Sequence, residues 1–212
     1  MKRFIFFIAL FATVKTHAQN NNIGFTGGAT FSNYKAKSGG NDNSGKTKAG
    51  FTVGAIANIG IGKNFIIQPG INFVQKGSQD KQTFFGVTSK YTLTTNHIEV
   101  PVNFLYTNSG FFIGAGPSFS FGVSGKLKYD FGGTKTNENV KFGNSENDDM
   151  TGFDIGANVL GGYRFKNGIL IAANYNHGFR NLDNSSGPDA GTVNSRYFGI
   201  KLGYVLPGFK KK

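Results

Sequence analysis

The chain has 212 residues, 23 lysines and arginines against 11 aspartates and glutamates, a formal charge of +12, and no cysteine. Its length fits one domain, and the missing cysteine excludes disulfide staples, thiolate metal sites and a cysteine nucleophile. The basic residues are spread through turns and loops with no aromatic-interleaved basic patch, which argues against a nucleic-acid-binding surface despite the charge.

Met1-Lys2-Arg3 is a cationic start, Phe4 to Val14 an uncharged apolar run, and Thr16-His17-Ala18 a small-residue stop. Residues 1–18 are therefore expected to be a secretory signal peptide, since such a run is too short to span a bilayer. The domain is then residues 19–212. Loss of Lys2, Arg3 and Lys15 would bring the formal charge from +12 to +9. Beyond Ala18 no apolar run approaches the roughly 20 residues of a spanning helix, and no window shows helical apolar spacing. With 32 glycines, 23 phenylalanines and 8 tyrosines, the composition instead suits strands with aromatic outer faces and small inner ones.

In chain order, Ile23 to Tyr34 alternates as a first strand, with Ile23, Phe25, Ala29 and Phe31 on one face and Gly24, Thr26, Thr30 and Ser32 on the other. A polar loop, Lys35–Thr47, leads to a second strand at about Ala49–Ile61. Gly62-Lys63-Asn64 turns into a third, carrying Phe65, Ile67, Ile71 and Phe73 against Gln68, Asn72 and Lys76. Gly77 to about Lys90 reads as a long connection that either packs on itself or extends the strands above the membrane. Two strands follow, joined by Thr107–Gly110: Ile98, Val100, Val102, Phe104 and Tyr106 share the apolar face of the first, and Phe111, Ile113, Ala115, Phe119 and Phe121 that of the second. Pro69, Pro101 and Pro117 interrupt these strands, and bulges, or lateral strain at Pro101 and Pro117, are the expected accommodation. Val123 to Asp149 is the longest connection, with alternation persisting at Lys126–Phe131 and Asn139–Phe142 as a candidate hairpin extension or an added strand pair. Thr151–Phe165 and Ile169–Arg180 flank an Asn167-Gly168 hairpin tip. After a polar loop at Asn181–Asn194, Ser195–Leu206 is the eighth strand.

Connections alternate short and long, the plan of a transmembrane, antiparallel, up-and-down β-barrel. The expected fold is all-β with eight strands in the bacterial outer membrane, a monomer in contact with outer-membrane lipid. The short turns and both termini would be periplasmic, and the long loops extracellular.

The stretch His97–Gly122, with Glu99-Val100-Pro101 before a turn and Gly114-Ala115-Gly116-Pro117 after it, resembles the PorT-like outer-membrane β-barrel family common in the Bacteroidota. Gly162-Tyr163-Arg164-Phe165, together with the run from Asn174 to Phe179, extends the resemblance, although Asn174 stands where the family usually has arginine. The resemblance implies the barrel fold and admits envelope or secretion proteins as partners.

No catalytic, cofactor-binding or metal-ligating set emerges. Gly-x-Ser-x-Gly, Walker and calcium-loop motifs are absent, and His97 with Glu99 would give a metal only two ligands. On the inner face His97, Glu99, Asp154, Arg164 and Lys201 form a candidate lumen charge network. An eight-stranded barrel is just wide enough for side chains to fill, so this network reads as a plug. The function so implied is non-catalytic, structural or loop-mediated binding. A narrow pore for small solutes, an accessory role in secretion, and an enzyme using His97 and Glu99 are the alternatives.

Overall fold

The computed structural model describes residues 21–207 apart from 39–40, 43, 86, 146 and 185–190. The expected signal peptide and the Lys210-Lys211-Lys212 tail lie outside these residues. Eight long strands close into a ring: β1 (Asn22–Ser38), β2 (Lys46–Gly60), β3 (Phe65–Phe84), β4 (Val87–Asn108), β5 (Phe111–Phe131), β6 (Phe153–Arg164), β7 (Ile169–Gly178) and β8 (Thr192–Val205). Each pairs antiparallel with its sequence neighbours. The ring closes twice, through Gly24↔Val205 to Lys37↔Thr192 between β1 and β8, and through β5 and β6 themselves, which pair from Phe111↔Tyr163 to Phe121↔Phe153 despite the long segment between them. With no unpaired edge, every strand has its backbone groups bonded within the ring, the condition for crossing a bilayer.

The short turns share one end with the chain termini. At Asn108-Ser109-Gly110-Phe111 both central residues have positive φ, 51° at Ser109 and 92° at Gly110. That is the left-handed pair a two-residue hairpin prefers. A Cβ at Gly110 would stand 2.7 Å from the Arg164 carbonyl, so the position is closed to larger residues on two grounds. Asn167 Oδ1 accepts the Ile169 N–H at 3.1 Å and Gly168 supplies positive φ, which makes Asn167-Gly168 the hairpin tip its sequence suggests.

At the other end the strands run well beyond the apolar segments. Of the two readings of Gly77–Lys90 the structure takes the strand extension: β3 continues to Phe84 and β4 begins at Val87, with Phe85 at the exposed tip. β5 likewise continues to Phe131, turns at Gly132-Gly133 and pairs with Thr134–Asn139, so this part of the Val123–Asp149 stretch is a hairpin extension. These residues keep the ladder without an apolar outer face, because they stand clear of lipid and need only hydrogen bonds to stay extended. Phe142–Gly143 pairs parallel with Met150–Thr151 and folds back over the barrel mouth.

The prolines correct another expectation. Register is the same before and after Pro69, Pro101 and Pro117; each sits in a gap of two ladder positions on one side, where its missing N–H cannot donate. The bulges lie instead between Thr47 and Thr52 of β2 and between Asn96 and His97 of the β4–β5 pair.

Exposed apolar side chains form a continuous belt around the exterior. Aromatic rings border it at both ends: Phe65, Tyr106, Phe111, Tyr163 and Tyr204 on the turn side, and Phe31, Phe51, Phe73, Phe121, Phe153 and Phe198 on the loop side. Such paired aromatic girdles mark the two interfaces of a bilayer.

Candidate functional site

Side chains fill the membrane-crossing part of the barrel interior. Alternation turns Glu99 of β4 and Tyr197 of β8 inward, and β4 and β8 stand opposite each other in the ring. Tyr197 crosses the lumen and donates its hydroxyl to Glu99 Oε1 at 2.6 Å. The Lys76 ammonium, from β3, lies 3.1 Å from Glu99 Oε2, donates to Ser120 Oγ at 3.2 Å, and sits 5.2 Å from the Tyr197 ring centroid. Lys76 and Glu99 are each 1% exposed. A buried charge of either sign is tolerated only with such a partner, so cation, anion and phenol lock one another in place.

Turnward of this layer an amide relay crosses the lumen: Asn174 donates to Asn158 at 2.9 Å, and Asn158 donates to Asn103 at 2.9 Å. Below it, Leu170, Ala172 and Val205 pack with Ile56 and Phe112 and fill the turn-side end. The cavities left in this part of the lumen are about 40 Å³ each.

The structure brings only part of the candidate charge network together. Glu99 and Lys201 line the same small cavity. Asp154 accepts Ser195 Oγ at 2.8 Å and the Arg180 N–H at 3.3 Å, a separate group near the loop side. His97 joins a further layer: its Nε2 lies 3.0 Å from Thr95 Oγ1 and 3.4 Å from Tyr34 Oη, with the Phe142 ring edge-on at 5.7 Å. At 3% exposure, under Phe142, it offers no surface to a substrate. Arg164 is not brought to Glu99: it ends β6 at the turn side and lines the cavity beside Gly110 and Leu105. The partner of Glu99 is Lys76, a residue on the inner face of β3 that is the sequence signal for the pair. Tyr197, its other partner, is a lone inward ring among glycines of β8. Among the described residues, no group of three or more His, Asp or Glu is placed to hold a metal ion.

Above the loop-side girdle the pattern inverts. Tyr34, Leu93, Met150 and Leu182 are buried inside the ring, with Tyr91, Leu127, Val140, Phe142 and Val193 packed against them, while Thr92, Thr94, Asn96, Lys126 and Lys128 face out. The two loop segments are pinned to this core by Thr151 N–H to the Leu182 carbonyl, 3.0 Å, and Leu182 N–H to the Val193 carbonyl, 2.8 Å. The resulting cap forms the floor of an open cup of about 520 Å³, walled by Tyr91, Tyr129, Gln82, Ser89, Asp80 and Asp149.

A closed eight-stranded ring with an apolar belt and a polar interior is an outer-membrane architecture, and the sequence agrees: the family model described as an outer membrane protein beta-barrel domain matches residues 17–184. The chain belongs to the outer-membrane β-barrel domain family. Solved structures of similar fold include Ail, the attachment invasion locus protein of Yersinia pestis, in complex with the heparin analogue sucrose octasulfate (11% identity, 89% of this chain and 100% of that one, TM-score 0.47). Neisserial surface protein A is another, at 16% identity over 85% of this chain and 96% of that one, TM-score 0.45. OprG of Pseudomonas aeruginosa is a third, at 12% identity over 91% and 98%, TM-score 0.38. No curated protein sequence matches the chain.

Proposed function

We propose that this protein is a sealed, non-catalytic outer-membrane barrel that works from its loop-side end. The observation that carries the reading is the lumen itself: Tyr197 spans it from β8 to the Lys76–Glu99 pair, and cavities of only about 40 Å³ lie on the turn side of that layer. Such volumes hold a water molecule or so and offer no path to a solute. What protrudes is the opposite end, where the extended hairpins and the cap build a cup wide enough for a small ligand. In this reading the protein is a monomer with its short turns and both ends in the periplasm and its hairpins outside the cell, and its role is loop-mediated binding.

Planar-bilayer recording tests it. The refolded, heat-modifiable protein should give no steady single-channel conductance. Stable openings of uniform size would contradict the sealed lumen and favour a narrow pore.

A further inference from the structure

We infer that the outward wall of β2–β5 just beyond the loop-side girdle binds the phosphate groups of outer-leaflet lipid, with Lys48, Lys126 and Lys128 as the contacting cations. The inference rests on the orientation proposed above, with the long hairpins outside the cell.

The wall begins at Phe51, Phe73 and Phe121, the last rings of the belt, beyond which none of these strands is in the membrane-crossing part. Directly above them Gln75 donates to Asn96 at 3.2 Å and Asn96 donates to Ser124 at 3.0 Å, an outward polar rung where lipid acyl chains would give way to head groups. On the next rungs register places Lys126 against Thr94 and Lys128 against Thr92, and on their other side Asn139 and Asn137. Both bulges serve this surface. The Asn96/His97 bulge turns Ser124, Lys126 and Lys128 outward, although Leu127 and Tyr129 keep the parity of the lipid-facing Phe119 and Phe121.

The second bulge puts Lys48 on the same wall. Between Thr47 and Thr52, β2 lifts away from β3, and hydroxyls of β1 take over the freed backbone: Thr30 Oγ1 donates to the Gln75 carbonyl at 2.7 Å, and Ser32 Oγ accepts the Gly77 N–H at 2.8 Å. The Lys48 stem then lies across Gly77, where a Cβ would come within 2.8 Å of its Cδ. Burial of that stem and the nearby charge of Lys128 hold the Lys48 ammonium below its ordinary pKa. Cations brought this close, at a fixed height over an aromatic girdle, are complementary to an anion of the interface. Asp130 stands further out on the wall, opposite Lys90 and Lys135, and Asp80, on the cup side of β3, pairs with Lys46 at 3.7 Å. Among the described residues no carboxylate lies within ion-pair distance of Lys48, Lys126 or Lys128.

The test uses the full chain in nanodiscs of zwitterionic lipid containing either bisphosphorylated lipid A or its dephosphorylated form, and follows the temperature at which the compact, heat-modifiable band is lost. Phosphorylated lipid A should raise that temperature by about 5 °C over the dephosphorylated form. The K48Q/K126Q/K128Q variant should lose at least half of the shift, and K35Q/K37Q, on β1 outside this wall, should keep it. Inorganic phosphate alone should give no shift. Equal shifts with both lipids, an undiminished shift in the triple variant, an equal loss in K35Q/K37Q, or a full shift from inorganic phosphate would each overturn the inference. The orientation has its own readout: an impermeant thiol reagent should label Phe85→Cys on intact cells, and failure to label there contradicts the orientation whatever the lipid result.

Discussion

Strand β4 passes through two environments with opposite rules. From Ile98 to Tyr106 its apolar side chains Ile98, Val100, Val102, Phe104 and Tyr106 point outward, and Glu99, Pro101, Asn103 and Leu105 point in. From Lys90 to Asn96 the arrangement reverses, with Lys90, Thr92, Thr94 and Asn96 outward and Tyr91 and Leu93 inside. β5 makes the same change by another route, keeping its apolar residues at odd positions while the bulge rotates them from outside to inside. Apolar groups face whatever excludes water: lipid around the lower barrel, a small packed core in the upper one. The lower half is therefore a membrane protein and the upper half is built like a water-soluble β-domain, joined along continuous strands. The difference lets side chains fill the membrane-crossing lumen while a broad surface stands beyond the membrane.

The two halves should fail differently. The largest effect is expected in the lower one. Glu99→Ala strands the Lys76 ammonium in the lumen and should cost about 3–5 kcal/mol in urea unfolding, whereas the double replacement of Lys76 by Met and Glu99 by Leu should recover most of that loss. In the upper half Leu182→Ala should cost about 3 kcal/mol of cap packing, read as rapid proteolysis within the loop segments while the heat-modifiable barrel persists. Surface charges sharpen the boundary further. Val102→Lys, in the belt, should destabilise by about 2–4 kcal/mol. Thr94→Lys, four rungs of alternation away on the same face of the same strand, should change stability by no more than about 0.5 kcal/mol.

The lower half was legible because lipid imposes period-two apolarity on every crossing: Ile98 to Tyr106 and Phe111 to Phe121 announce both strand and face. The hairpin from Gly77 to Lys90 was legible only as one of two readings, since a hydrated strand such as Ser78–Gln82 has the composition of a loop and is held by ladder bonds that leave no trace in polarity. The inversion did leave a mark, the change of apolar phase between Leu93 and Ile98, which has meaning only once the strand is known to continue. In the lumen, parity gives the face of a residue and says nothing of its depth. Arg164 and Glu99 share the inner face but sit at different heights, while Lys76 and Tyr197 reach Glu99 through the registers and tilt of strands far apart in sequence.

The absence of cysteine allows single thiols to be placed along β4 without background. A polarity-sensitive dye attached in turn at Thr92, Thr94, Asn96, Ile98, Val100 and Val102, in lipid nanodiscs, measures the boundary directly. Blue-shifted emission at Ile98, Val100 and Val102, water-like emission at Thr92 and Thr94, and a step at Asn96 are the predicted result. Uniform emission along the whole series, or water-like emission at Ile98 to Val102, would contradict the account of a membrane barrel continued as a soluble one.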